Sequence, residues 1–138
     1  MLDWTGGTKK LLTLLWVFLT VNYIYCDIFT LHHDPTLQQL MTGEAGGMVI
    51  TEEFLLGFAL IMEIPMAMIL LSKVLAYRFN RYFNMGAAII TGSIQTTTVL
   101  MGGTLHYLFF SGIEIATAMF ILFTALKWKQ PQSTLARS

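Results

Sequence analysis

Hydrophobic residues run along the chain in four blocks, at about 11–31, 50–72, 84–105 and 106–126, with polar residues collected between them. Each block is close to the roughly 20 residues a helix needs to cross the hydrocarbon of a bilayer. Backbone groups in lipid have no water to bond, so continuous apolar runs of this length are expected to be helices. The pattern predicts an all-α, integral membrane four-helix bundle forming a single domain over residues 1–138. Its polar tail, 130–138, is expected to be disordered.

Polar residues inside the blocks are few and fall on faces. In the first block, at 100° per residue, Val17, Val21, Ile24, Ile28 and Leu31 occupy an arc of about 80°, while Asn22, Tyr23, Cys26, Asp27 and Thr30 occupy about 140° on the other side. This gives the helix a lipid face and an interior face. Asp27 has two readings, an end residue that snorkels outward and one wall of an interior site. Asn22 and Tyr23, which extend the same face deeper, favour the wall. After the block come His32, His33, Asp34 and Pro35. Asp34 is expected as an N-cap with Pro35 at the first position of a short outer-surface helix closed by Gly43, and Gly46–Gly47 as a turn into the second span.

In the second block Glu52 and Glu63 are eleven residues apart and share a face to within about 20°. Glu63 lies near mid-block, and Pro65 beside it removes the donor that the carbonyl of Ile61 would use, so a local bend is expected. The third block has no charge, but Thr91, Gln95, Thr98 and Gly102 form a stripe suited to close helix contact. In the fourth, Tyr107, Ser111, Glu114 and Ala118 share a face, and His106 stands at the helix start. The inner halves, 11–19, 66–71 and 119–126, hold almost no strong polar groups. The expected interior is therefore a cup open to the outer side and plugged below.

Charge orients this frame. All eight basic residues lie before the first block (Lys9, Lys10), between the second and third (Lys73, Arg78, Arg81) or after the fourth (Lys127, Lys129, Arg137). By the positive-inside rule both termini and the middle loop are cytoplasmic. The carboxylates other than Asp3 take the opposite bias, so a formal net charge of zero hides a polarity across the membrane. A mean hydropathy of +0.64 with 12% charged residues excludes an ordinary soluble domain. Lys9 and Lys10 before an apolar run also resemble the start of a secretory signal. No small-residue cleavage pattern follows, and the block reads as a retained helix. The single cysteine, Cys26, excludes an internal disulfide and a Cys-rich metal site.

The run Leu15, Trp16, Val17, Phe18 followed by Asn22, Tyr23, Tyr25 and Asp27, with the four-block layout, resembles small bacterial inner-membrane proteins grouped as a family of unknown function. The layout is more loosely similar to DoxX-like four-helix proteins. These resemblances imply topology and location in the cytoplasmic membrane, without an activity. In length the chain is similar to small multidrug-resistance exporters, but those carry their key glutamate on the first helix, where this chain has Asp27.

Three functional classes fit. The first is a protein that binds a lipophilic small molecule or lipid in the outer cup, with acid/base catalysis of isomerase, cyclase or hydrolase type. Asp27, Glu63 and Glu114 are its candidate catalytic groups, and Asn22, Tyr23, Glu52, Gln95, Thr98, His106, Tyr107 and Ser111 line it. The second is a proton- or cation-coupled transporter acting as a homo-oligomer, and the third a structural or accessory subunit whose buried acids specify helix pairing. A metal at the rim, on His32 or His33, Glu52 and His106, lacks any fixed ligand spacing, and no cofactor is expected. There is no phosphate loop, nucleophile elbow or zinc motif, and the basic residues are accounted for by topology, so no nucleic-acid partner is expected.

Overall fold

The computed structural model describes residues 4–130; Asp3, Arg137 and all of the expected disordered tail after Gln130 lie outside the described residues. Among the described residues the regular structure is helical apart from one small hairpin: α1 (Trp4–Leu31), α2 (Asp34–Met41), β1 (Glu44–Ala45), β2 (Met48–Val49), α3 (Glu52–Val74), α4 (Tyr77–Leu100) and α5 (Leu105–Lys127). Three stretches are long and apolar enough to cross a membrane, Gly7–Leu31, Glu52–Val74 and Leu105–Lys127. The four long helices pack in a ring, α1 on α3, α3 on α4, α4 on α5 and α5 on α1.

The third block is placed differently from its expected bounds of 84–105. Helix α4 begins at Tyr77, two turns earlier, and ends at Leu100. Arg78, Asn80 and Arg81 sit in those first turns and lower the hydropathy enough to look like loop. Met101 caps the helix, and Gly102, at φ 100°, turns the chain towards α5 in the left-handed conformation that glycine adopts without strain. At the other end of α4 only Leu75 and Ala76, both extended, separate it from α3.

Helix α2 is the expected short helix with shifted ends. His33 is its N-cap, without a side-chain cap bond, and Asp34 is the first helical residue. The Gly46–Gly47 turn lies between paired strands, with Glu44 opposite Val49 and Ala45 opposite Met48. Both glycines have positive φ, 57° and 80°, as a two-residue primed hairpin turn requires. The hydroxyl of Thr51 then accepts from the Phe54 amide and caps α3.

α2, the hairpin and the 101–104 linker share one end of the bundle, the loop end; the start of α1, the 75–76 linker and Trp128 share the other, the termini end. Cations finish the helices at the termini end. Lys9 Nζ donates to the Leu75 carbonyl at 2.7 Å, and Arg81 donates to the carbonyls of Ala125 and Leu126 at 3.0 and 2.9 Å. Both satisfy carbonyls left over at a helix C-terminus, where positive charge is also favoured by the helix dipole. Tyr77 adds a bond to the Trp128 carbonyl at 2.7 Å and packs edge-on against its ring.

The core of this half is apolar around a polar centre. Leu12, Trp16, Leu19, Met68, Ala87, Ala88, Ile121 and Trp128 form one buried cluster. Within it, Trp16 Nε1 and Ser72 Oγ both donate to Asn84 Oδ1, at 2.7 and 3.1 Å. Asn84 Nδ2 donates to the carbonyl and the side-chain oxygen of Asn80, at 2.8 and 2.7 Å. Asn80 Nδ2 in turn donates to the Ser72 carbonyl at 2.6 Å. All four residues are fully buried, so the termini end contains a complete hydrogen-bond network joining α1, α3 and α4, with Ser72, Asn80 and Asn84 outside the stretches 11–19, 66–71 and 119–126.

Replacing Asn84 by Ala strands the indole N–H and the Ser72 hydroxyl together, and is expected to cost on the order of 2–5 kcal/mol in chemical denaturation of the detergent-solubilised protein. Arg81→Ala is expected to leave the global transition nearly unchanged while speeding amide exchange in the last turn of α5, read by hydrogen-exchange mass spectrometry.

Candidate functional site

At the loop end the polar residues have a different character. Asn22 is nine residues before the end of α1 and Glu114 nine after the start of α5, so at 1.5 Å per residue each lies about 13 Å in from that end. Glu114 is 1% exposed and Asn22 9%. Both oxygens of the Glu114 carboxyl and the Asn22 side-chain nitrogen are buried with no hydrogen-bond partner among the described residues. Most buried polar atoms in folded proteins are bonded, so each exception calls for an explanation.

Helix geometry accounts for their burial. Ser111, Glu114 and Ala118 are all buried on one stripe of α5, and Asn22 and Cys26 are buried on α1, while Val17, Val21, Ile24, Ile28 and Leu31 are exposed. Tyr23, Cys26 and Asp27 lie within electrostatic range of Glu114, and Tyr107 within range of Tyr23. Helix α4 contributes Gln95, whose Nε2 donates to Ser111 Oγ at 2.7 Å, one turn of α5 from Glu114. Thr98, from the same stripe, is bonded to the Gln95 carbonyl at 2.8 Å. Tyr107 rests on Gly103, where a Cβ would run into its ring.

Tyr23 and Gln95 also border a crevice between α3 and α4, lined further by Ile61, Met62, Pro65 and Ile94, with room for about one water molecule.

The remaining candidates are dispersed. Asp27 is exposed, about 6 Å in from the loop end of α1. Glu52 is exposed in the first turn of α3, where an acid complements the helix dipole. Glu63 is exposed on α3, apart from the buried set. His106 lies at the loop end, with its ring nitrogens 3.0 and 3.1 Å from Thr104 Oγ1, and one of them 3.5 Å from Thr30 Oγ1. The His33 ring is 5.8 Å away, and His32 bonds instead to the Ile28 carbonyl. Among the described residues no group of three His, Cys, Asp or Glu side chains is placed to hold a metal ion.

Asn80 and Asn84 were absent from the expected polar set, although their spacing carried the signal. With Thr91 and Gln95 they fall on one stripe of α4, all buried, which continues the Thr91–Gln95–Thr98 stripe about three turns towards the termini end. Chemically, the loop-end set offers an unused donor, Asn22 Nδ2, and two unused acceptor oxygens, Glu114 Oε1 and Oε2, at one depth. A group that accepts from the first and donates to the second satisfies both.

No curated protein and no solved structure matches this chain. A family profile matches residues 1–136, nearly the whole sequence, and the chain belongs to that family, DUF6326, a family of unknown function.

Proposed function

We propose that this chain is an integral membrane protein that binds a lipophilic small molecule by a hydroxyl head group held between Glu114 and Asn22. Both termini lie on the cytoplasmic side, α4 crosses with the three more apolar helices, and the loop end faces outward. The observation that carries the reading is the pair of unpartnered buried groups at one depth. The fully bonded Trp16–Ser72–Asn80–Asn84 network at the other end supports it by contrast, because this chain completes its polar contacts where they serve packing alone.

The head group is specified by the pair. A hydroxyl accepts from Asn22 and donates to Glu114, whereas a protonated amine, which has no lone pair, would leave the Asn22 donor unmet. The apolar body of the ligand extends from this pair towards the lipid. Acid/base chemistry on the bound head would fall to Glu114, with Asp27 nearer the outside water as its counterpart. The packed termini-end core favours binding or local chemistry over passage across the membrane.

A buried acid without a partner costs stability that a ligand returns, so two effects of opposite sign are expected. Glu114→Met, of similar volume, is expected to stabilise the ligand-free protein by about 1–3 kcal/mol in denaturant titration. Saturation with long-chain alcohols is expected to stabilise the unsubstituted protein by up to about 3 kcal/mol at a hundredfold excess over the dissociation constant, and to leave Glu114→Met unmoved. A destabilised Glu114→Met that still responds to these amphiphiles would overturn the assignment.

A further inference from the structure

The uncovered face of α3 has an order of its own. Pro65, Met68 and Ser72 are the buried residues of this helix, and at 100° per residue their stripe centres almost opposite Glu63. Leu56, Leu60, Met66 and Leu70 are all exposed, from 49% to 68%, and fall with Glu63 inside an arc of about 120°. Glu63 is near the middle of that arc. It is also at the middle of the helix, eleven residues from Glu52 and eleven from Val74, about 16 Å from either end. Leu56, Glu63 and Leu70 recur every seven residues, with Met66 three after Glu63, the spacing of a seam between two helices.

On the membrane reading above, which this inference rests on, that position is the midplane, and the surrounding lipid tails offer a carboxyl no hydrogen bond. An acid there costs a few kcal/mol unless something polar covers it. The basic residues within the described chain lie at or close to helix ends, so none of another copy reaches this depth in the same orientation. We propose that a second copy of this chain covers the face, α3 against α3 about a two-fold axis along the membrane normal, with the two Glu63 carboxyls hydrogen-bonded to each other. A carboxyl pair sharing a proton is self-complementary, donor on one side and acceptor on the other, which is what an isologous contact requires. Symmetry puts the two groups at one depth without any further adjustment. A single polar residue in an otherwise apolar seam also fixes its register.

The test is a cysteine scan in native membrane vesicles on a Cys26→Ser background, with copper-phenanthroline oxidation. Leu56→Cys and Leu70→Cys are expected to form disulfide-linked dimers. Phe58→Cys, exposed but about 140° round the helix from Glu63, is not. Adding Glu63→Leu is expected to weaken association by about three- to twentyfold, the worth of one interhelical hydrogen bond in a membrane, while Glu63→Gln, which both donates and accepts, keeps it. Equal crosslinking at 56 and 58, no crosslinking at 56 and 70, or dimers indifferent to Glu63→Leu would each overturn the pairing. So would disulfides formed only between copies carrying Glu63→Cys and Ser93→Cys, since Ser93 lines an open groove between α4 and α5 with Gly92, Ile115 and Met119, and such a contact would be head-to-tail. Release of the protein from the vesicles by alkaline carbonate would instead refute the membrane reading, and the pairing with it.

Discussion

The side chain of Asn84 holds the bundle together at the point where three helices meet. Its oxygen takes hydrogen bonds from Trp16 on α1 and Ser72 on α3, and its nitrogen returns two to Asn80 one turn away. Each of these groups is fully buried, where an unmade hydrogen bond costs far more than a made one gains. The register of α1, α3 and α4 is therefore set at this level, since sliding one helix by a turn would strand several donors together. Lys9 and Arg81 then finish helices at the same end. These two cations thus act as helix caps whatever part their charge has in orienting the chain.

Rigidity at one end makes the incompleteness of the other informative. A chain that saturates an indole, a hydroxyl and two amides within one cluster leaves Glu114 and Asn22 without partners at matched depth on neighbouring helices. Binding sites commonly carry such costs, because groups arranged for a ligand cannot also be satisfied internally. Gln95 and Ser111, bonded to each other beside Glu114, hold that part of the wall in a defined position. The two carboxyls of the middle of the bundle thus have separate roles in this account. Glu114 is buried and proposed to meet a ligand, and Glu63 is exposed and proposed to meet a second copy.

Much of this was legible in the residue pattern because helical periodicity reports relative direction faithfully. The apolar face of α1 from Val17 to Leu31, the Ser111–Glu114–Ala118 stripe and the Gly46–Gly47 turn all appear where the spacing places them. Periodicity does not report absolute direction, however. Glu52 and Glu63 share a face of α3 as the spacing requires, yet that face points away from the bundle, and only the buried Pro65–Met68–Ser72 stripe reveals it. The start of α4 was obscured for a different reason. Arg78, Asn80 and Arg81 depress local hydropathy, so two turns of helix, with Asn80 among them, read as loop. The absence of partners around Glu114 is a property of three helices together, and no single stretch of sequence contains it.

The claim on which the account turns is that Glu114 and Asn22 bond to something other than protein. An experimental density map of the protein extracted gently from its own membrane measures this directly. The account predicts a non-protein feature within hydrogen-bonding distance, about 2.6–3.2 Å, of both the Glu114 carboxyl and the Asn22 side-chain amide. A map in which Glu114 and Asn22 are each bonded to other side chains of the protein, with no feature between them, would contradict it.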